Sequence, residues 1–125
     1  MEHPGLRERS ILVVENELLI AMDIVGALEE AGANATMTTT ARHAIILAEH
    51  DGLAGAIMDH GLTEGDSTAV CERLKKRGIP YISYSGYEPV TGADPNAPYI
   101  TKPVSMNMLM TAMEDLVRGR PVRVS

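Results

Sequence analysis

Ile11-Leu12-Val13-Val14-Glu15-Asn16-Glu17 is a run of four aliphatic residues that ends abruptly in an acid–amide–acid cluster. A stretch this short, apolar and rich in β-branched residues suits a strand buried on both faces. The period then changes. Leu18, Ala21, Met22, Val25 and Leu28 recur at helical spacing through Ala31, and Gly32 is the expected stop. This is one βα unit, and its polar strand end is where chemistry is expected.

The rest of the chain repeats the unit. A thinly apolar strand at Ala35 to Thr38 precedes a helix with Ala44, Ile45, Leu47 and Ala48, capped by Thr39 or Thr40 and closed by Asp51-Gly52. Ala54 to Met58 is a third strand, ending at Asp59. A helix starting near Asp66 or Ser67 runs to Gly78, and Tyr81 to Tyr84 is the fourth strand. Pro89, Gly92, Pro95 and Pro98 leave room only for a short fourth helix. Tyr99-Ile100 is a brief fifth strand, and Ser105 caps a last helix through Val117. Five βα repeats predict an α/β, flavodoxin-like (βα)5 fold: a doubly wound, five-stranded parallel sheet flanked by helices. Residues 1–125 read as a single domain with loose ends at about 1–9 and 119–125.

Composition narrows the function. With 11 basic and 17 acidic residues the formal charge is −6, which argues against nucleic-acid binding by this chain. The basic runs Arg73, Lys75, Lys76, Arg77 and Arg118, Arg120, Arg123 sit at helix ends, where cations suit the macrodipole, and read as solvated faces. Cys71 has no partner cysteine and reads as a small packed residue. The polar first ten residues do not resemble a signal peptide, and no apolar run approaches the roughly 20 residues that span a bilayer, so a cytoplasmic location without a membrane partner is expected.

In an open parallel sheet, ligands bind at the carboxyl ends of the strands, where strand order reverses. The strand ends here deliver Glu15, Asn16, Asp59, Ser85 and Lys102: two carboxylates, an amide, a hydroxyl and an ammonium. Taken singly, each has an ordinary role. Asp59 suits a turn, Glu15 and Lys102 a surface, and Ser85 before Gly86 a bend. Their shared position at strand ends favours a site.

That set resembles bacterial two-component response-regulator receivers of the single-domain, chemotaxis-regulator type. The opening strand and its acidic end, Ala56-Ile57-Met58-Asp59, Pro80 to Tyr87, and Tyr99-Ile100-Thr101-Lys102-Pro103 follow the family's order over essentially the whole chain. The resemblance implies that Asp59 accepts a phosphoryl group from a sensor histidine kinase. It implies that Asp59, the Gly61 carbonyl, Glu15 and Asn16 hold Mg²⁺, that Lys102 and Ser85 contact phosphoryl oxygens, and that Ser85 and Tyr99 form the switch. The physics agrees: transfer to a carboxylate gathers negative charge, so catalysis is positioning and electrostatic compensation, and Mg²⁺ prefers oxygen ligands. The expected partners are the kinase and a downstream or phosphotransfer protein, with a homodimer through the last helix as a further arrangement. No output domain is expected after the last helix, so signalling would run through a partner-binding surface.

The sequence departs from the family in several respects, the short, proline-rich region between Ser85 and Lys102 among them. Asn16 stands where an aspartate usually binds metal, which predicts weak Mg²⁺ binding. Thr63 replaces a usual proline, and Ser67 a usual glycine. The principal rival is therefore a receiver-like interaction module that is not phosphorylated. Asp59-His60-Gly61-Leu62-Thr63 also resembles the nucleophile loop of haloacid-dehalogenase-type phosphatases, but Gly61 stands where the general acid is needed. The charge of Glu15-Asn16-Glu17 opposes a flavin phosphate after the first strand. His60 reads as a bystander of the acceptor, and His3, His43 and His50 have no ligand spacing. Tyr81 and Tyr84 read as strand residues. On the last helix Leu109, Met113 and Leu116 form a core stripe, with Met106, Met110, Met113 and Val117 beside it. Some of Met106, Met108 and Met110 are expected at the surface, as an interaction face competing with a core role.

Overall fold

In the computed structural model, which describes residues 3–59, 67–85, 99–101 and 105–122, the βα alternation closes as expected. Strands β1 (Ser10–Val14), β2 (Asn34–Thr38), β3 (Leu53–Met58), β4 (Tyr81–Ser85) and β5 (Tyr99–Thr101) pair in parallel, in the order β2-β1-β3-β4-β5. Helices α1 (Leu18–Glu30), α2 (Ala41–Leu47), α3 (Ser67–Lys76) and α4 (Met106–Val117) complete the described elements. The short helix expected between Gly86 and Pro98, together with His60, Gly61, Thr63 and Lys102, lies outside the described residues.

Alternation along β1 sorts the core into two layers. Ile11 and Val13 face one way and pack with Ile24, Leu28, Ile57, Ile82, Leu109 and Met113, beneath α1 and α4. Leu12 and Val14 face the other way, with Ala41, Ala44, Met58, Val70 and Leu74, beneath α2 and α3. Both faces are apolar, as a sheet covered by helices on both sides requires. Each fully buried Ile or Leu contributes about 1.5–3 kcal/mol. Gly55 lets α4 pack closely on β3, since a Cβ there would lie in tight contact, 3.3 Å from Val117 Cγ1.

Local signals behave as read. Thr40 Oγ1 accepts from the His43 amide at 3.3 Å, and Ser105 Oγ from the Met108 amide at 3.1 Å, so both cap their helices. Gly32 takes φ +89° after α1, a conformation costly for any residue with a Cβ. Tyr81, Tyr84 and Cys71 are buried in the core.

Three expectations change. The buried stripe of α1 is Ala21, Ile24 and Leu28, not one centred on Leu18 and Met22, which are exposed. Met110 is core, while Met106 and Met108 are half-buried, so none of the three stands fully at the surface. Residues 3–9, read as a loose end, form a packed strap. Pro4–Leu6 is a turn of 3₁₀ helix, Leu6 is fully buried, and the Gly5 amide donates to Glu114 Oε2 at 2.6 Å. His3 Nε2 lies 3.1 Å from Thr111 Oγ1 on α4. One buried leucine and two polar ties anchor a segment whose composition is otherwise polar.

Candidate functional site

Strand order reverses between β1 and β3: β1 crosses to β2 on one side, and the chain then returns to place β3 on the other. The carboxyl ends of these two strands flank the crevice where a doubly wound sheet binds ligands. Val14 pairs with Met58, and the Asp59 amide donates to the Val14 carbonyl at 2.9 Å. Asp59 therefore sits one residue past the last pair, beside Glu15. The Glu15 amide donates to the Thr38 carbonyl at 3.1 Å, fixing the same strand end from its other side.

Both carboxylates are buried, Glu15 at 1% and Asp59 at 3% exposure. Burying two like charges side by side is costly unless positive charge or hydrogen bonds offset them. Glu15 Oε1 accepts from the Glu17 amide at 3.1 Å, and Glu15 and Asp59 each make further interactions within the protein. The Glu15 bond has a second effect. Glu17, at the N-cap of α1, makes no side-chain capping bond, so Glu15 supplies an acceptor at the helix start. The same bond orients the carboxylate at the strand end. Asn16 follows on the loop, half-buried.

Ser85 closes β4. Met58 pairs with Ser83, so Ser85 lies one residue beyond the level of Asp59 on the adjacent strand. Ser85 in turn pairs with Thr101, and Ser83 with Tyr99, which puts the residue before Lys102 next to the same edge. The backbone thus brings Glu15, Asn16, Asp59 and Ser85 to one edge of the sheet. Gly61 and Lys102 fall outside the described residues.

The oxygen-rich donor set fits a hard divalent cation rather than a transition metal. Among the described residues no group of three His, Cys, Asp or Glu side chains could hold a metal.

The basic clusters are more than solvated faces. Arg73 forms an ion pair with Glu49, and Arg77 reaches Glu49 at 3.1 Å and Asp51 at 3.3 Å, tying the end of α3 to the end of α2. The Arg73 guanidinium, by hydrogen bond first, holds the Glu49 carboxyl below its ordinary range. Arg118 pairs with Glu114 at 3.3 Å and Arg120 with the buried Asp115 at 3.4 Å. None of these pairs belongs to the sheet-edge site.

No family model matches the sequence, and no curated protein matches it. Solved structures do match in fold. A response-regulator receiver protein from Sinorhizobium medicae WSM419 is 21% identical with a TM-score of 0.82, covering 93% of this chain and 99% of its own. A CheY-like receiver domain from Methanospirillum hungatei JF-1 is 24% identical with a TM-score of 0.79, covering 90% and 95%. The receiver domain of a sensor histidine kinase from Pseudomonas aeruginosa PAO1, solved with magnesium coordinated in its active-site cleft, is 20% identical with a TM-score of 0.77, covering 89% and 98%. The fold is that of response-regulator receiver domains. Among the described residues, no helix is long and apolar enough to cross a membrane.

Proposed function

We infer that this chain is a two-component signalling receiver, with Asp59 as its phosphoacceptor. The observation that carries the reading is the placement of Asp59 and Glu15, both buried, at adjoining strand ends where the sheet reverses order. An Asp59 carboxylate oxygen attacks the phosphorus of a donor phosphoryl group. The new P–O bond forms as the bond to the donor's leaving nitrogen or oxygen breaks, and the leaving group takes the electron pair. Little covalent chemistry is asked of the protein beyond positioning the nucleophile and offsetting charge.

Asp59, Glu15, Asn16 and the Gly61 carbonyl are the residues that would hold Mg²⁺, which when bound offsets charge on the phosphoryl oxygens. The tie from Glu15 to the Glu17 amide suits a supporting role, and Asp59 would be the direct carboxylate ligand. The Lys102 ammonium neutralises one phosphoryl oxygen and the Ser85 hydroxyl donates to another. Ser85 drawn toward the phosphoryl group vacates space that Tyr99 takes up, turning a local charge into a change of surface. The segment after Gly86, β5 and the exposed part of α4 form that output surface. The domain spans the chain, acts in the cytoplasm and serves signalling rather than turnover, taking its phosphoryl group from a histidine kinase.

A second reading rests on Asn16 alone: a receiver-like module that binds partners without phosphorylation. The two readings separate by intact mass. After incubation with acetyl phosphate and Mg²⁺, the native protein should gain one phosphoryl group and Asp59→Asn none. Equal modification of both, or of neither, removes the phosphoacceptor reading.

A further inference from the structure

The N-terminal strap closes one side of a cavity of about 330 Å³, which the C-terminal end of α1 and the first turns of α4 complete. That volume lies at the small end of ordinary ligand sites, roughly 300–1,000 Å³, and suits one small molecule rather than a protein segment. The polar groups lining it are left without partners in the fold. His3 is only 6% exposed; its Nε2 lies 3.1 Å from Thr111 Oγ1, but Nδ1 makes no hydrogen bond among the described residues. A buried ring nitrogen without a partner is costly unless something in the cavity supplies one. Arg7 and Glu30, opposite in charge, line the same cavity. Among the described residues neither side chain forms an ion pair or hydrogen bond, with the other or elsewhere. The stem of Arg7 is set against the turn after α1, where a Cβ on Gly32 would lie 3.3 Å from Arg7 Cγ. Ala27, Met106 and Met110 supply an apolar wall, and methionines adapt to irregular shapes.

We propose that this cavity binds a free α-amino acid with an apolar side chain, its carboxylate on Arg7, its ammonium on Glu30 and His3 Nδ1, and its side chain against Ala27, Met106 and Met110. Each end of the zwitterion meets a charge of opposite sign, so the ligand bridges two groups that the fold holds apart. A carboxylic acid without the ammonium would bring its charge beside Glu30 unmatched, and an amine without the carboxylate would do the same beside Arg7. With Nε2–H donating to Thr111, the neutral His3 ring presents Nδ1 as an acceptor for the ammonium. The bound molecule would tie the strap to α1 and α4, adding to the anchors already made by Leu6 and by the Gly5 amide on Glu114. The cavity lies at the opposite end of α1 from Glu15 and uses neither Asp59 nor Ser85, so it stands apart from the phosphoacceptor reading.

L-Leucine, 4-methylpentanoate and L-leucinamide share one side chain; the second lacks the ammonium and the third the carboxylate. Titration of each into the full chain, followed by backbone amide NMR, tests the proposal. Leucine should saturably shift amides within residues 3–7, 27–31 and 106–111 and raise the melting temperature, as a ligand of the native state does. The other two should bind at least tenfold more weakly. Arg7→Gln and Glu30→Gln remove charges that make no ion pair within the fold, so each should lose at least tenfold in leucine affinity while the melting temperature without ligand stays unchanged. Asp59→Asn should bind leucine like the native chain, so this site and the phosphoacceptor fail or succeed separately. No saturable binding of leucine, shifts confined to other parts of the chain, or undiminished binding to Arg7→Gln or Glu30→Gln overturns the proposal. Leucinamide binding as tightly as leucine would overturn it in favour of a peptide N-terminus, and 4-methylpentanoate doing so would overturn it in favour of a simple carboxylic acid.

Discussion

Asn16→Asp is the sharpest probe of the proposed metal site. Asn16 is half-buried and follows directly on the buried Glu15, whose amide is locked to β2 and whose carboxylate is tied to the start of α1. A unit charge pair at 4 Å is worth about 4 kcal/mol at an effective dielectric near 20, and a divalent ion doubles it. Three effects reduce that gain: partial exposure, desolvation of the new carboxylate, and its repulsion by Glu15 and Asp59. We expect a net gain of about 1.5–3 kcal/mol, roughly tenfold to a hundredfold in Mg²⁺ affinity. Titration of both proteins with MgCl₂ at fixed pH and ionic strength reads the affinity. Phosphorylation rates from acetyl phosphate at saturating metal then separate binding from chemistry. Unchanged affinity would mean that side chain 16 is not near the ion, and the assignment of the acidic pair would fail. A rise in affinity with no phosphorylation of either protein would favour the interaction-module reading.

Leu6→Ala should lower stability by about 2–4 kcal/mol by urea denaturation, because a fully buried anchor of the N-terminal strap is truncated; a negligible change would mean that the strap lies outside the cooperative unit. Gly55→Val should destabilise by about 1–3 kcal/mol through overpacking against Val117 and Met113, and an unperturbed melting temperature would refute the close approach of α4 to β3. Glu49 has a lowered pKa, so its ion pairs stabilise the fold above the ordinary value of 4.5 and lose that effect as pH falls through the depressed folded value. The small melting difference between the native protein and Glu49→Gln should therefore be present at neutral pH, shrink with added salt and vanish in acid. A difference that persists in acid would have another origin.

The strands and the site edge were legible because two periods alternate cleanly and each strand ends in a polar residue. Ile11 to Val14 could hardly be anything but a doubly buried strand, and Asp59 follows Met58 without a spacer. The orientation of α1 was not legible for a physical reason. Leu18, Leu19, Ile20, Ala21, Met22, Ile24 and Val25 make its first half apolar nearly all round, so several stripes are compatible with helical spacing. Packing against the sheet selects Ala21, Ile24 and Leu28 and leaves the larger Leu18, Leu19 and Met22 outside. With so many apolar positions in its first half, periodicity alone leaves the buried face of α1 open. The strap was hidden because a single buried leucine among polar residues has no period. Glu15 as the hydrogen-bond acceptor at the start of α1 was not legible because the bond depends on the turn between β1 and α1, which no sequence period encodes.

Phosphoacceptor function depends on the identity of one oxygen nucleophile, and chemical mapping reads it directly. An aspartyl phosphate is an acyl phosphate, which borohydride reduces to homoserine at the modified position. After phosphorylation in Mg²⁺, reduction and proteolysis, peptide mass mapping should place homoserine at position 59 and at no other. Homoserine at a different carboxylate, or phosphate retained on a serine, threonine or histidine with Asp59 intact, would contradict it.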